Sequence, residues 1–180
     1  DFGIRNTQVT NSASSGVRGY QAGLVLADNQ VYGNAGHGVY LEGNGAHPSS
    51  VTGGRYFANQ GDGLGVANQV GLTVTGAEIF GNTGYGVRST SSVAVTAGGN
   101  WWGAANGPGG SGPGSGDEIT ANVTAGGFLT AGSAFSYVNA GPNLSEGTIA
   151  GPAVVRGTDS AEWGTSAPAR LLYDLERVVL

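Results

Sequence analysis

The sequence predicts an all-β chain wound as a parallel β-helix, a solenoid of about five coils followed by a small C-terminal appendage. Three observations predict it. A sparse signature (aromatic, small, Asn, any, Gly, any, Gly, aliphatic) recurs at Tyr32–Val39, Phe57–Leu64 and Phe80–Val87. The residues before it, Val31, Tyr56 and Ile79, extend upstream to Val9 and downstream to Asn100 as anchors spaced 22, 25, 23 and 21 residues apart. A period in the low twenties is that of a solenoid. Alternating apolar residues at Leu24-Val25-Leu26, Leu72-Thr73-Val74 and Val93-Ala94-Val95 carry the two-residue period of strands.

Taken in order, the first coil is the least regular: Ser12 holds the Asn place and Ser14 the first Gly place, while Gly16-Val17 keeps the pattern. Ile4, Leu26, Val51, Val74 and Val95 stand five residues before the anchors, and Phe2, Leu24, Ser49, Leu72 and Val93 two earlier. Val17, Val39, Leu64 and Val87 stand eight after. Each coil thus offers three short strands joined by Gly/Asn corners, and equivalent strands stack about 4.8 Å apart. Asn34, Asn59 and Asn82 form a structural ladder. Asn tolerates left-handed backbone, and stacked amides bond from coil to coil. The paired glycines after each Asn are expected to supply positive φ. Tyr32, Phe57, Phe80 and Trp101 read as an aromatic ladder that serves packing. Two extra residues near 43–50 read as a corner insertion.

The coils run to about 103, where Asn100-Trp101-Trp102-Gly103 forms a closing motif. A Gly/Pro-rich loop over 104–116 comes next, read as flexible, then a closing segment over 117–130. Residues 131–180 form the appendage or cap, with helical spacing over 168–179 that competes with an extended strand.

Composition narrows function by exclusion. Charged residues are 11% of the chain and the net charge is −5, which leaves no polybasic surface for nucleic acid and disfavours anionic membranes. No apolar run reaches membrane-spanning length. The absence of Cys rules out thiol catalysis. With no Met and with Asp1 at its start, the chain reads as a processed or excised segment. No Ser/His/Asp triad or phosphate loop is present.

What alternation leaves outside is the candidate site. Placing Val17, Val39, Leu64 and Val87 inward puts Arg18, Tyr40, Gly65 and Arg88 in one external column, and Tyr20, Glu42, Ala67 and Thr90 in another. The adjoining corner reads Ser15, His37, Asp62, Tyr85. Rings stack on sugars, while Arg and carboxylates bond hydroxyls, so Tyr40, Tyr85, Arg18, Arg88 and Asp62 are the ligand-binding candidates. Asp62, Glu42, His37 and Arg88 are the catalytic ones, since acid/base work on a glycosidic bond needs paired carboxylates. The alternative is an ordinary solvated face. His37, His47 and Asp62 lack a compact metal motif, so no cofactor is expected; calcium in the glycine-rich stretch before Asp117-Glu118 is the one opening left.

Val93-x-Val95, Asn100-Trp-Trp-Gly103 and Gly107-Pro108 together resemble the final coil of right-handed parallel β-helix repeat proteins of the pectate-lyase-like superfamily. Asp117–Val123 leading to Phe128-Leu129 is similar to the segment after that coil in secreted and cell-surface members, and the resemblance covers roughly residues 1–130. It implies a right-handed helix at a cell surface or outside the cell. Its enzymes generally use an Arg or Lys base with acids that hold calcium; here Lys is absent and Glu42 and Asp62 are the only acids on the face. The leading expectation is therefore a structural or adhesive segment that binds glycans, or that self-associates through its coil ends into a rod or filament. The alternative is a polysaccharide lyase or glycoside hydrolase working from the outer face.

Overall fold

A computed structural model describes residues 2–21, 23–43, 47–68 and 70–133. The appendage beyond 133, with its expected helix, lies outside the described residues, as does the middle of the corner insertion. The rest is a parallel β-helix. Its first coil is β1 (Phe2–Arg5), β2 (Gln8–Thr10) and β3 (Val17–Tyr20); its second is β4 (Leu24–Ala27), β5 (Gln30–Tyr32) and β6 (Val39–Gly43). The third is β7 (Ser49–Thr52), β8 (Arg55–Phe57) and β9 (Leu64–Asn68), and the fourth β10 (Leu72–Thr75), β11 (Glu78–Phe80) and β12 (Val87–Ser89). A closing part adds β13 (Val95–Thr96), β14 (Pro108–Gly110), β15 (Gly116–Ile119) and β16 (Val123–Thr124). The first strands of each coil form one sheet, β1-β4-β7-β10-β13-β16, the second strands another, β2-β5-β8-β11, and the third a sheet ending β12-β15-β14. Every pairing among them is parallel.

Register makes columns of like side chains. Val39, Leu64, Val87 and Ile119 stack inward along the third sheet, and Leu26, Val51 and Val74 along the first. The anchor column is Val9, Val31, Tyr56 and Ile79. Its fifth member corrects the sequence reading. Glu78 pairs with Trp101, so Trp102, not Asn100, stands over Ile79 and is fully buried. The first sheet shifts with it: Leu72 pairs with Val95, leaving Val93 42% exposed rather than in the core. An inward anchor needs a large apolar group, and the indole supplies it. Trp101 consequently lies beside Glu78 and does not extend the aromatic ladder; Gly103 takes that place.

Asn100 instead joins a second set of corner asparagines. Its Oδ1 accepts the Ala77 N–H (2.9 Å) and its Nδ2 donates to Val74 O (3.0 Å). Asn29 does the same three coils earlier, to Thr7 N (3.0 Å) and Ile4 O (2.9 Å).

The main ladder runs through the other corner. Asn34 Nδ2 donates to Asn59 Oδ1 and Asn59 Nδ2 to Asn82 Oδ1, both at 2.9 Å. Each Oδ1 also accepts the backbone N–H of the residue below, Asn34 N at 3.2 Å and Asn59 N at 3.1 Å. Nδ2 of Asn59 and of Asn82 reaches back to an anchor carbonyl, Val31 O (3.2 Å) and Tyr56 O (3.0 Å). Buried amides must satisfy all these valences. The left-handed residue at this corner is not the Asn but its predecessor: Asn11 (φ 58°), Gly33 (63°), Ala58 (52°) and Gly81 (66°). Nor do the paired glycines serve φ. A Cβ on Gly38 would lie 2.8 Å from Asn59 Nδ2, and one on Gly63 2.8 Å from Asn82 Nδ2. Gly38 and Gly63 are glycines because the amide ladder and the next coil's backbone occupy the space a side chain would need, while Gly36 and Gly61 lie against the backbone of the coil below.

The Gly/Pro-rich stretch is ordered, with β14 paired on β15. Gly114 N donates to Pro108 O (2.7 Å) and Gly116 N to Gly107 O (2.9 Å). A Cβ on Gly114 would come within 2.3 Å of two carbonyl oxygens, so the glycines here permit backbone contact rather than freedom.

Gly63→Ala is expected to destabilise the fold by about 2 kcal/mol or more, as overpacking does, against about 1 kcal/mol for Gly81→Ala, where only the left-handed φ resists. Asn59→Ala should cost about 3 kcal/mol or more, because several buried partners lose their bonds at once. Urea unfolding curves of the three variants measure both contrasts.

Candidate functional site

Strands β3, β6, β9 and β12 point Arg18, Tyr40, Gly65 and Arg88 outward in register. Arg18 Nη2 donates to Glu42 Oε1 at 2.5 Å, and this bond, with the Glu42 charge, pushes the guanidinium pKa further up. The Arg18 guanidinium lies 5.7 Å from the Tyr40 ring centroid. His37 stacks on the same ring, centroids 5.1 Å apart and planes 17° apart. Two coils on, Arg88 lies 5.9 Å from the Tyr85 centroid.

Asp62 departs from its expected place on the solvated face. It is 3% exposed. Its Oδ1 accepts the Tyr85 N–H at 2.9 Å, and its own N–H donates to His37 Nδ1 at 3.0 Å. Asp62 Oδ2 lies 3.1 Å from the same Nδ1. Oδ2 is buried and accepts no hydrogen bond from the described residues. A desolvated carboxylate oxygen without a donor is costly.

Gly65 leaves a space beside that oxygen. The outward column reads Arg, Tyr, Gly, Arg, and the missing side chain leaves a notch of about 210 Å³ lined by His37, Tyr40, Asp62, Gly65, Val66, Arg88 and Thr90. A Cβ on Gly65 would sit 3.6 Å from both Asp62 Oδ2 and His37 Nδ1. The structure thus gathers His37, Tyr40, Asp62 and Arg88. Glu42, held by Arg18, does not line the notch, nor does Tyr85. The two acids named from sequence are therefore not an acid/base pair across one pocket. His47 is exposed at the corner insertion, and among the described residues no three His, Cys, Asp or Glu groups converge. Chemically, the notch offers one buried acceptor between an aromatic–imidazole stack and a guanidinium.

One residue of structural weight carried no repeat signal. Asp117, returning after the glycine-rich excursion, caps the Asn ladder: Oδ1 accepts Gly81 N (2.8 Å), and Oδ2 accepts Asn82 N (3.1 Å) and Nδ2 (2.8 Å). Burial raises its carboxyl pKa above the ordinary value, while these three donors pull it back down. Its carboxylate oxygens are thus already engaged by N–H groups.

The family described as a right handed beta helix region matches residues 1–101 of the chain. Searches of curated proteins and of solved structures gave no match.

Because folded Asp117 holds its proton more tightly than unfolded Asp, its titration favours folding most at acid pH. That contribution falls away as pH rises from the ordinary carboxyl pKa through the raised one. Urea stability of the native chain relative to Asp117→Asn is therefore expected to be largest at low pH and to decline across that window.

Proposed function

The chain belongs to the right-handed β-helix repeat proteins, and from that premise we propose that it is a structural and adhesive segment that binds a glycan at the notch between Tyr40 and Arg88, outside the cell or at its surface. The carrying observation is Asp62 Oδ2, buried and without a donor among the described residues, in the wall of the notch that Gly65 leaves. A sugar hydroxyl supplies the missing donor. Arg88 and the His37–Tyr40 stack offer the polar and apolar contacts that hold a saccharide in place. A stiff solenoid suits display, since the coils beneath the notch are tied by register and by buried amides.

The alternative, a polysaccharide lyase or glycoside hydrolase on the same face, keeps one supporting observation, the contact between His37 and Asp62. Binding without turnover separates the two readings. On a glycan array followed by calorimetry, the chain is expected to retain a saccharide that it leaves intact. Gly65→Thr, which fills the notch, and Asp62→Asn, which replaces the acceptor, should each weaken binding roughly tenfold or more, about 1.4 kcal/mol. Gly65→Thr should lower thermal stability only modestly, because its Cβ meets the edge of the outward Tyr40 ring at 3.0 Å and that side chain can shift. Unchanged affinity in both variants would sink the adhesive reading at this notch, and chain cleavage abolished by Asp62→Asn would establish the enzyme instead.

A further inference from the structure

The outer face of the middle sheet carries a second column, Thr10, Tyr32, Phe57 and Phe80, in register. Tyr32 and Phe57 stack at 4.8 Å and 9°, Phe57 and Phe80 at 5.0 Å and 6°. These rings cover one another's faces, except at the end. One coil on, the column place belongs to Gly103, whose added Cβ would lie 3.0 Å from Phe80 Cβ. No side chain therefore continues the stack from that position. The gap opens into a cleft of about 580 Å³, with Phe80 and Gly103 in its lining.

The same chain departure leaves polar groups open. At the lower corners each carbonyl of this type accepts an N–H from the coil above: Ala35 N to Ser12 O, Gln60 N to Asn34 O and Thr83 N to Asn59 O, all at 2.9 Å. Gly61 N to Gly36 O (2.8 Å) and Gly84 N to Gly61 O (3.0 Å) repeat this two residues on. Above Asn82 and Gly84 the chain leaves at Gly103 and returns at Gly116, so the corner that would donate is replaced by the excursion. No backbone N–H of the described residues bonds Asn82 O or Gly84 O. Both residues line the cleft, and the charged residues lining it are Asp117 and Glu118, both acids.

We propose that this cleft binds a neutral pyranose, seated as the fourth ring of the Tyr32–Phe57–Phe80 stack, with its hydroxyls donating to the Asn82 and Gly84 carbonyls. A pyranose has one apolar C–H face for Phe80 and an edge of donors for carbonyls that no backbone N–H of the described residues engages. A uronate would bring its carboxylate against Asp117 and Glu118 with no lining cation to receive it. The inference rests on the glycan-binding reading of the chain but concerns a different site, so the two fail separately.

The test is calorimetric titration of the full chain with neutral tetrasaccharides of glucose, mannose and galactose, and with an oligogalacturonate. At least one neutral tetramer is expected to bind in preference to the galacturonate. Phe80→Ala should weaken that binding roughly tenfold. Phe57→Ala, which removes a ring that does not floor the cleft, and Gly65→Thr, which fills the notch, should leave it unchanged. Failure of every neutral tetramer to bind, equal binding of the galacturonate, or indifference to Phe80→Ala overturns the proposal. So does an equal loss in Phe57→Ala, which would mark the column as merely structural. Loss in Gly65→Thr alone would assign the sugar to the notch and empty the cleft of its role.

Discussion

The stacked amides of Asn34, Asn59 and Asn82 are the constraint on which this corner of the molecule depends. Asn34 and Asn59 are buried, Asn82 partly so, and each has several valences to fill. They can all be filled only if successive corners repeat the same geometry one coil apart. That requirement propagates outward. It demands a left-handed residue before each Asn, and it bars side chains from Gly38 and Gly63. It also ends in a group that can accept without donating. Asp117 is that group: its carboxylate takes the last Asn amide and two backbone N–H groups where another coil would have stood.

Both proposed binding sites lie where this regularity is relaxed. In a solenoid every outward position belongs to a column, and a glycine in a column removes one side chain from an otherwise continuous strip. Gly65 removes one beside Tyr40 and leaves a notch with Asp62 in its wall; Gly103 removes one above Phe80 and leaves a cleft that Phe80 lines. Both openings pair an aromatic neighbour with acceptors that have lost or never had their donor. The scaffold makes such acceptors cheaply, because parallel coils leave carbonyls and corner carboxylates pointing along the axis wherever a coil is interrupted.

Much of the fold was legible. Leu26, Val51 and Val74, or Val39, Leu64 and Val87, are recognisable as columns because apolar residues recur at a constant phase, and phase is a property of sequence. Legibility failed where phase was ambiguous. Val93 and Val95 imitate the strand pair Leu72 and Val74, and Asn100 imitates an anchor by spacing alone; burial of Trp102 decides the register two residues later. The site was legible as a list of outward residues, but not as a pocket. Asp62 occupies a corner position shared with His37 and Tyr85, yet it turns in to bond the Tyr85 N–H, a choice that depends on groups one coil away.

By itself the sequence determined the winding period, the three strands per coil, the outward column of Arg18, Tyr40, Gly65 and Arg88, and the asparagines that tie the corner. All are encoded by residues whose type and spacing repeat. The tertiary structure alone decided which atoms lack partners. Asp62 Oδ2 accepts no hydrogen bond from the described residues, Asp117 caps a ladder begun far upstream, and Phe80 lines a cleft at the end of its stack. Each of these is a relation between coils, set by distances along the axis that no spacing within a single coil records.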